Sequence, residues 1–263
     1  EVYPTHVRVD IEESADNTAW LKGLKFYIET DWGMKFETES NGTVSFRLGD
    51  SNVTISTNVA APGYRNMWAN VQDGSFPLIG VNGRYYRMLT SPNAVDSELL
   101  GAQIATVSEF TTEPSLSGTD VVLSNAATSG TAVYAISGVN ENTLVAAKVN
   151  GRMRLFQRVS FNGNALRGSE RLADTLNVAG HIESMELSDV GVVTDRGTCE
   201  SLFATLTRNA SFESSGSVSG KQSLHIRLDN GLTVQLLIKN DNLSACGTWS
   251  CPEFLEAFEA AVN

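Results

Sequence analysis

Asn-Gly corners constrain this chain more than any other feature. Val-Asn-Gly-Arg occurs twice, at Val81–Arg84 and Val149–Arg152, each time between hydrophobic runs. Ser40-Asn41-Gly42-Thr43 and Asp229-Asn230-Gly231-Leu232 repeat the pair in two further places. A two-residue type I′ turn needs positive φ at both central residues, which Asn and Gly tolerate, so Asn-Gly between hydrophobic runs is the strongest short-range hairpin signal. A chain organised around such corners is a set of antiparallel hairpins, and the corners bring no chemistry with them.

The rest of the pattern divides the chain into three blocks. In 1–75, Leu24, Phe26 and Ile28 alternate with polar residues, as do Met34, Phe36 and Thr38, then Val44, Phe46 and Leu48, then Val53, Ile55 and Thr57. Strands recurring every nine or so residues predict an antiparallel meander. Trp20, Leu21, Leu24, Tyr27 and Ile28 also fit a helical stripe, which Gly23 weakens. Residues 60–77 carry Pro and Gly and read as a connection. Block 76–161 holds the hairpins at 82–83 and 150–151 and strands near Gln103–Val107 and Ala132–Ser137, which fits a small β barrel or sandwich. Residues 162–177 read as a linker. Block 178–263 changes character: Ile182, Met185 and Leu187 predict a strand, and Cys199, Leu202, Phe203 and Leu206 lie at i, i+3, i+4 and i+7 behind Thr194 or Asp195 as N-cap. Strands follow at Leu224–Leu228, Leu232–Ile238 and Leu243–Thr248. Ser250 and Glu253 form a capping box ahead of a helix whose apolar face is Phe254, Leu255, Phe258 and Val262. The expected fold is α+β and mostly β: a meander, a central β module, and a C-terminal β-α-β-β-β-α unit that packs with it or stands alone.

The chain has 263 residues, 30 Asp and Glu against 19 Lys and Arg, and a net charge of −11. That balance argues against non-specific nucleic-acid binding, because the phosphate backbone is repelled. No apolar run approaches the roughly 18–20 residues of a membrane helix. A start at Glu1-Val2-Tyr3-Pro4, with Gly, Asn, Ser and Thr abundant and Lys scarce, points to an exported protein whose targeting segment has been removed. Three cysteines are too few for a disulfide framework. A local Cys246–Cys251 bridge, a pairing of Cys199 with either, and three buried thiols all remain open.

Leu100-Gly101-Ala102-Gln103-Ile104, Ser124-Asn125, Gly130-Thr131-Ala132-Val133-Tyr134-Ala135-Ile136 and Ala146-Ala147-Lys148-Val149-Asn150-Gly151 form a pattern. It resembles uncharacterised secreted proteins and lipoproteins of Gram-positive bacteria, with their Gly-Thr-x-Val-Tyr-x-Ile and Ala-x-Lys-x-Asn-Gly segments. The resemblance spans about residues 75–263 and rests on turns and core strands. It implies an envelope location, secreted or lipid-anchored, and transfers no catalytic residue.

Reactive constellations are sparse. His6, His181 and His225 do not converge with Cys or acids at metal-ligand spacing. No Gly-x-Ser-x-Gly elbow, phosphate-binding Gly loop or EF-hand occurs. Glu183, Glu186, Asp189 and Asp195 are the candidates for the paired carboxylates of an envelope hydrolase, the alternative to a binding role. Trp20, Trp32, Trp68 and Trp249 offer either core rings or sugar-stacking platforms. The least ordinary feature is basic: Lys148, Arg152, Arg154, Arg158, Arg167 and Arg171 against the single acid Glu170. Lys148, Arg152, Arg154 and Arg158 share parity, so they are expected on one face with Val149, Met153, Leu155 and Val159 on the other, and Arg84 and Arg87 are expected to extend it. The reading that follows is a non-catalytic extracytoplasmic binding module, without cofactor or metal, that engages an anionic glycan, wall polymer or acidic protein.

Overall fold

At two of the Asn-Gly corners the backbone adopts the conformation the dipeptide favours. Asn82 and Gly83 have φ of 52° and 73°, and Asn150 and Gly151 have φ of 49° and 81°. In this computed structural model the described residues are 62–70, 76–114, 120–160, 171–213 and 222–262, together with five strands nearer the start. Those are β1 (Pro4–Val9), β2 (Leu24–Thr30), β3 (Lys35–Ser40), β4 (Thr43–Leu48) and β5 (Ser51–Ser56). β1, β2 and β3 pair antiparallel in that order, and β4 pairs with β5. The strand reading of Leu24–Ile28 therefore prevails over the helical one. The corner at Asn41-Gly42 lies outside the described residues.

The central block forms an eight-stranded sheet curled into a half-barrel. Its strands are β6 (Leu78–Val81), β7 (Arg84–Met88), β8 (Leu100–Thr106), β9 (Glu109–Phe110), β10 (Leu123–Ser124), β11 (Ala132–Ile136), β12 (Leu144–Val149) and β13 (Arg152–Val159). They run in the order β8-β11-β12-β13-β7-β6-β10-β9. All pairings are antiparallel except β9 with β10. Each face of this sheet contributes to an apolar cluster. Ile79, Tyr86, Val133, Val145, Ala147 and Phe156 fill the inside of the curl, while Leu89, Ile136, Leu144, Ala146 and Leu155 look outward into a second core.

That second core is shared with the C-terminal block. It joins the outward residues to Met185, Leu224, Ile226, Val234 and Leu236 of a seven-stranded sheet and to Phe203, Phe254 and Phe258 of its helices. The sheet consists of β14 (Ile182–Leu187), β15 (Gly191–Val193), β16 (Ser211–Phe212), β17 (Gln222–Leu228), β18 (Thr233–Lys239), β19 (Asn242–Ser244) and β20 (Thr248–Ser250), in the order β15-β14-β17-β18-β19-β20-β16. Its helices are α2 (Arg196–Asn209) and α3 (Pro252–Val262), and α1 (Leu172–Thr175) is a single turn before β14.

α2 begins where an N-cap was expected, with the Asp195 carboxylate accepting from the Thr198 amide at 2.8 Å. Its predicted stripe, Cys199, Leu202, Phe203 and Leu206, is the buried one. α3 starts at Pro252, one position later than a Ser250 cap requires; proline suits the first helical position because its missing N–H has no partner to lose there.

Three local expectations change. The Asp229-Asn230-Gly231 corner is a three-residue loop in which Gly231, at φ 81°, takes the left-handed position, so Leu228 and Leu232 pair across it. The strand expected over Leu243–Thr248 is split into β19 and β20 by a turn with Cys246 at φ 50°. The end of the expected linker is not a linker. Leu172, Thr175, Leu176 and Val178 are buried, and the Thr143 hydroxyl donates to the Thr175 carbonyl at 2.6 Å.

Candidate functional site

The basic residues come from the β12–β13 and β6–β7 hairpins, and strand register decides where they point. Lys148 is opposite Met153, Arg154 opposite Ala147 and Arg152 opposite Val149. Directly opposed residues share a face, so Lys148 projects from the other side of the sheet than Arg152, Arg154 and Arg158. This corrects the parity argument. Across a two-residue turn, same-face partners have numbers of opposite parity, and Val149 accordingly lies on the arginine face. Arg158 is opposite Tyr86, which brings Arg84 onto that face as well and puts Arg87 on the reverse.

On the inner face the arginines fall into two pairs. Arg152 and Arg154 stand at the Asn150-Gly151 end, and Arg84 and Arg158 stand beside Tyr86 at the other. Between them lies Phe156, fully buried in the inner cluster. Among the described residues Arg84, Arg152 and Arg154 form no ion pair. The Arg154 guanidinium donates through Nη2 to the Leu89 carbonyl at 3.0 Å, and its Nε is buried without a hydrogen-bond partner. Burial first, and the charge of Arg152 second, lower the affinity of Arg154 for its proton. Burial pushes the Tyr86 hydroxyl up to about 12, against the opposing pull of Arg84 and Arg158.

Other basic candidates are occupied. Arg87 stacks 3.7 Å from the Phe76 ring centroid and 5.3 Å from that of Trp68, donates to Asn70 Oδ1 at 2.8 Å, and is lowered to about 10 by burial. Arg171 pairs with Asp174 at 3.0 Å. Arg167 lies outside the described residues, as do the side chains of Trp20 and Trp32. Trp249 is a core ring, donating to the Ala245 carbonyl at 3.1 Å and meeting Phe212 edge-on at 5.3 Å. Trp68 is half-buried beneath Arg87.

A second polar cluster was not anticipated. Glu186, His225 and Gln235 are cross-strand neighbours on β14, β17 and β18, on the face opposite Met185, Ile226 and Val234. Residues 62–70 cross this face as a strap. The Arg65 amide donates to Ser223 Oγ at 3.2 Å, and its guanidinium grips Glu186, with Nη2 at 2.6 Å from Oε2 and Nε at 3.2 Å from Oε1. Arg65 Nη2 is also 3.3 Å from His225 Nδ1, and His225 Nε2 is 3.2 Å from Gln235 Oε1. The Met67 amide donates to that same Gln235 oxygen, and Gln235 Nε2 donates to Asn66 Oδ1 at 3.2 Å. Burial pushes the Glu186 carboxyl up, but hydrogen bonds from His225 and Arg65 and the Arg65 charge together hold it below the ordinary carboxylate value. The only trace in the sequence is a Glu, a His and a Gln at mid-strand positions between aliphatic residues.

The remaining carboxylates weighed for catalysis have separate roles. Glu183 accepts from Arg227 at 2.9 Å, Asp195 caps α2, and Asp189 sits in a turn at φ 63°, where its amide donates to the Pro62 carbonyl at 2.6 Å. His181 is 3.4 Å from Asp229 near the surface. Among the described residues no three His, Cys, Asp or Glu gather as a metal site, and no disulfide joins the cysteines. The Cys199 thiol donates to the Val193 carbonyl at 3.2 Å, and the Cys251 thiol to the Asp241 carbonyl at 3.5 Å.

The architecture is thus an α+β, mostly-β protein in which a half-barrel and a helix-backed sheet share a core. Comparison with protein-family models, curated proteins and solved structures finds no match to this chain. No helix among the described residues is long and apolar enough to cross a membrane.

Proposed function

We propose that this protein is a non-catalytic binding module that works outside the cytoplasm, secreted or lipid-anchored in the bacterial envelope, and takes an anionic partner at the Arg152–Arg154 end of the half-barrel. One observation carries the reading: two adjacent guanidiniums on one face have no carboxylate partner among the described residues, in a chain with 11 more acids than bases. Like charges side by side on a strand are destabilising, and an anion removes that repulsion. Arg154, already held by the Leu89 carbonyl, loses little freedom on binding. The partner class is a wall polymer, an acidic glycan or an acidic protein surface. The low Lys content, the Gly, Asn, Ser and Thr richness and the resemblance to secreted proteins support the location.

Heparin, poly-L-glutamate and polyphosphate are suitable probes, titrated by biolayer interferometry over a salt series. Two arginine contacts give a slope of log Kd against log salt of about 1–2, by analogy with single-stranded polyanions. Exchanging Arg152→Glu and Arg154→Glu together weakens binding more than about tenfold. Lys148→Glu carries a charge reversal on the opposite face and has the smaller effect. Unchanged affinity in the arginine variant, with its circular dichroism intact, removes the proposal.

A further inference from the structure

We propose that Trp68, Asn70, Phe76 and Arg87 form a second binding site, on the face of the half-barrel turned away from Arg152 and Arg154, that takes an acidic sugar residue of a glycan. Its centre is a charge without a counter-charge. Arg87 is half-buried, and every group that holds it is neutral. The Ala69 carbonyl lies 3.4 Å from Nε and 3.2 Å from Nη2, the Asn70 amide oxygen lies 2.8 Å from Nη2, and the Phe76 and Trp68 rings flank the guanidinium. Among the described residues no carboxylate pairs with it. Burial alone lowers its affinity for a proton, to about 10. A partly desolvated cation without an anion is unfavourable, and the ring faces offset that only in part.

The donors left over define what fits. A guanidinium carries five N–H groups and accepts nothing. The contacts of Arg87 use Nε and Nη2, so the two hydrogens of Nη1 have no acceptor among the described residues, and Nη1 is not sealed from solvent. Because Arg87 only donates, the Asn70 oxygen faces it, and the Nδ2 donors of this exposed residue remain for a ligand. Donors around a cation select an acceptor-rich anion. Phe76 narrows the class further. Arg87 covers one side of its ring at 3.7 Å from the centroid, yet the residue is 44 % exposed. An aromatic face is electron-rich and attracts the polarised C–H groups on the flat side of a pyranose. A uronate joins that C–H face to a carboxylate and hydroxyls on one rigid ring. Phosphate has no such face, and an Asp or Glu side chain has only a short flexible stem.

The parts are fixed before any ligand arrives. The Asn125 side chain donates to the Phe76 carbonyl at 2.7 Å and accepts from the Leu78 amide at 2.6 Å. Trp68 bridges to Leu89, and the Ala69 amide donates to the Met88 carbonyl at 2.9 Å. Both segments are thereby tied to β7 and its immediate continuation, beside Arg87, so little freedom is lost on binding.

The test is an NMR titration of the full chain with trigalacturonate, followed at the Trp68 indole resonance, which Trp68→Phe identifies. That resonance reports on the Arg87 side of the sheet, whatever binds at Arg152 and Arg154. Trigalacturonate shifts it saturably. The fully methyl-esterified trimer keeps the rings but not the charge, and binds at least about tenfold more weakly. Asn70→Asp gives Arg87 a carboxylate of its own; the residue is exposed, so the fold is retained while affinity falls about tenfold. Phe76→Ala lowers affinity about fivefold by removing the stacking face. Poly-L-glutamate, an anion without sugar rings, leaves the resonance in place. An indole resonance that trigalacturonate does not move, equal affinity for the ester, full affinity in Asn70→Asp or Phe76→Ala, or an equal shift with poly-L-glutamate overturns the proposal.

Discussion

The Cys199 and Cys251 thiols each face a backbone carbonyl, and burial raises them to about 11 and about 12. At pH 8 the thiolate fraction at these positions is on the order of 10⁻³ to 10⁻⁴, and the thiolate is the form that reacts. Iodoacetamide at that pH is therefore expected to modify the folded protein slowly and to reach three thiols per chain in guanidinium chloride, without prior reduction. A single reactive thiol would mean that two of the three cysteines are bridged after all. Lys148 carries the other residue-scale lesson. Within one strand a spacing of four keeps two side chains on one face, but the Asn150-Gly151 corner reverses that relation, and only the register makes it visible.

Elements here are legible to the extent that their signals are local. Turn residues, the Asp195 cap and the stripe of α2 can be read directly, because each arises from contacts within a few residues. What α3 packs against cannot be read in that way. Its last turn crosses Gly191 of β15, where an added Cβ would run into the Val262 side chain. Gly191→Ala is accordingly expected to displace the end of α3 and cost about 1–3 kcal/mol in urea unfolding, with little change in far-ultraviolet circular dichroism. A neutral result would show that α3 shifts freely. The short strands β9, β10, β15 and β16 escape sequence reading for a related reason: with two or three residues they have no periodicity, and only their partners define them.

At the scale of the molecule, one glutamine fastens the two sheets. β19 pairs with β18 only from Leu237 to Lys239, so the outward N–H and C=O of Gln235 lie beyond its end. The buried Gln157 side chain of β13 takes both, its Oε1 accepting from the Gln235 amide at 2.9 Å and its Nε2 donating to the Gln235 carbonyl at 2.7 Å. Side-chain amide thus stands in for a missing strand. Gln157→Ala leaves both backbone groups buried without those partners, and denaturant unfolding should register a loss of about 2–4 kcal/mol. A loss below about 0.5 kcal/mol, the scale of an ordinary surface substitution, would show that the Gln157 amide contributes little to joining the sheets. The strap reinforces the same junction, since it bonds to Gln235 at Met67 and to β7 at Ala69.

The amino-acid sequence by itself determined the class of fold, because alternation and Asn-Gly corners act through neighbours along the chain and need no distant partner. It also determined the acidic balance and the scarcity of reactive clusters. Tertiary structure alone decided which arginines stand together, that Glu186, His225 and Gln235 form one row under Arg65, and that the two sheets share a core. Those relations join residues up to 169 positions apart. They depend on register, where a shift of one residue sends each side chain to the opposite face.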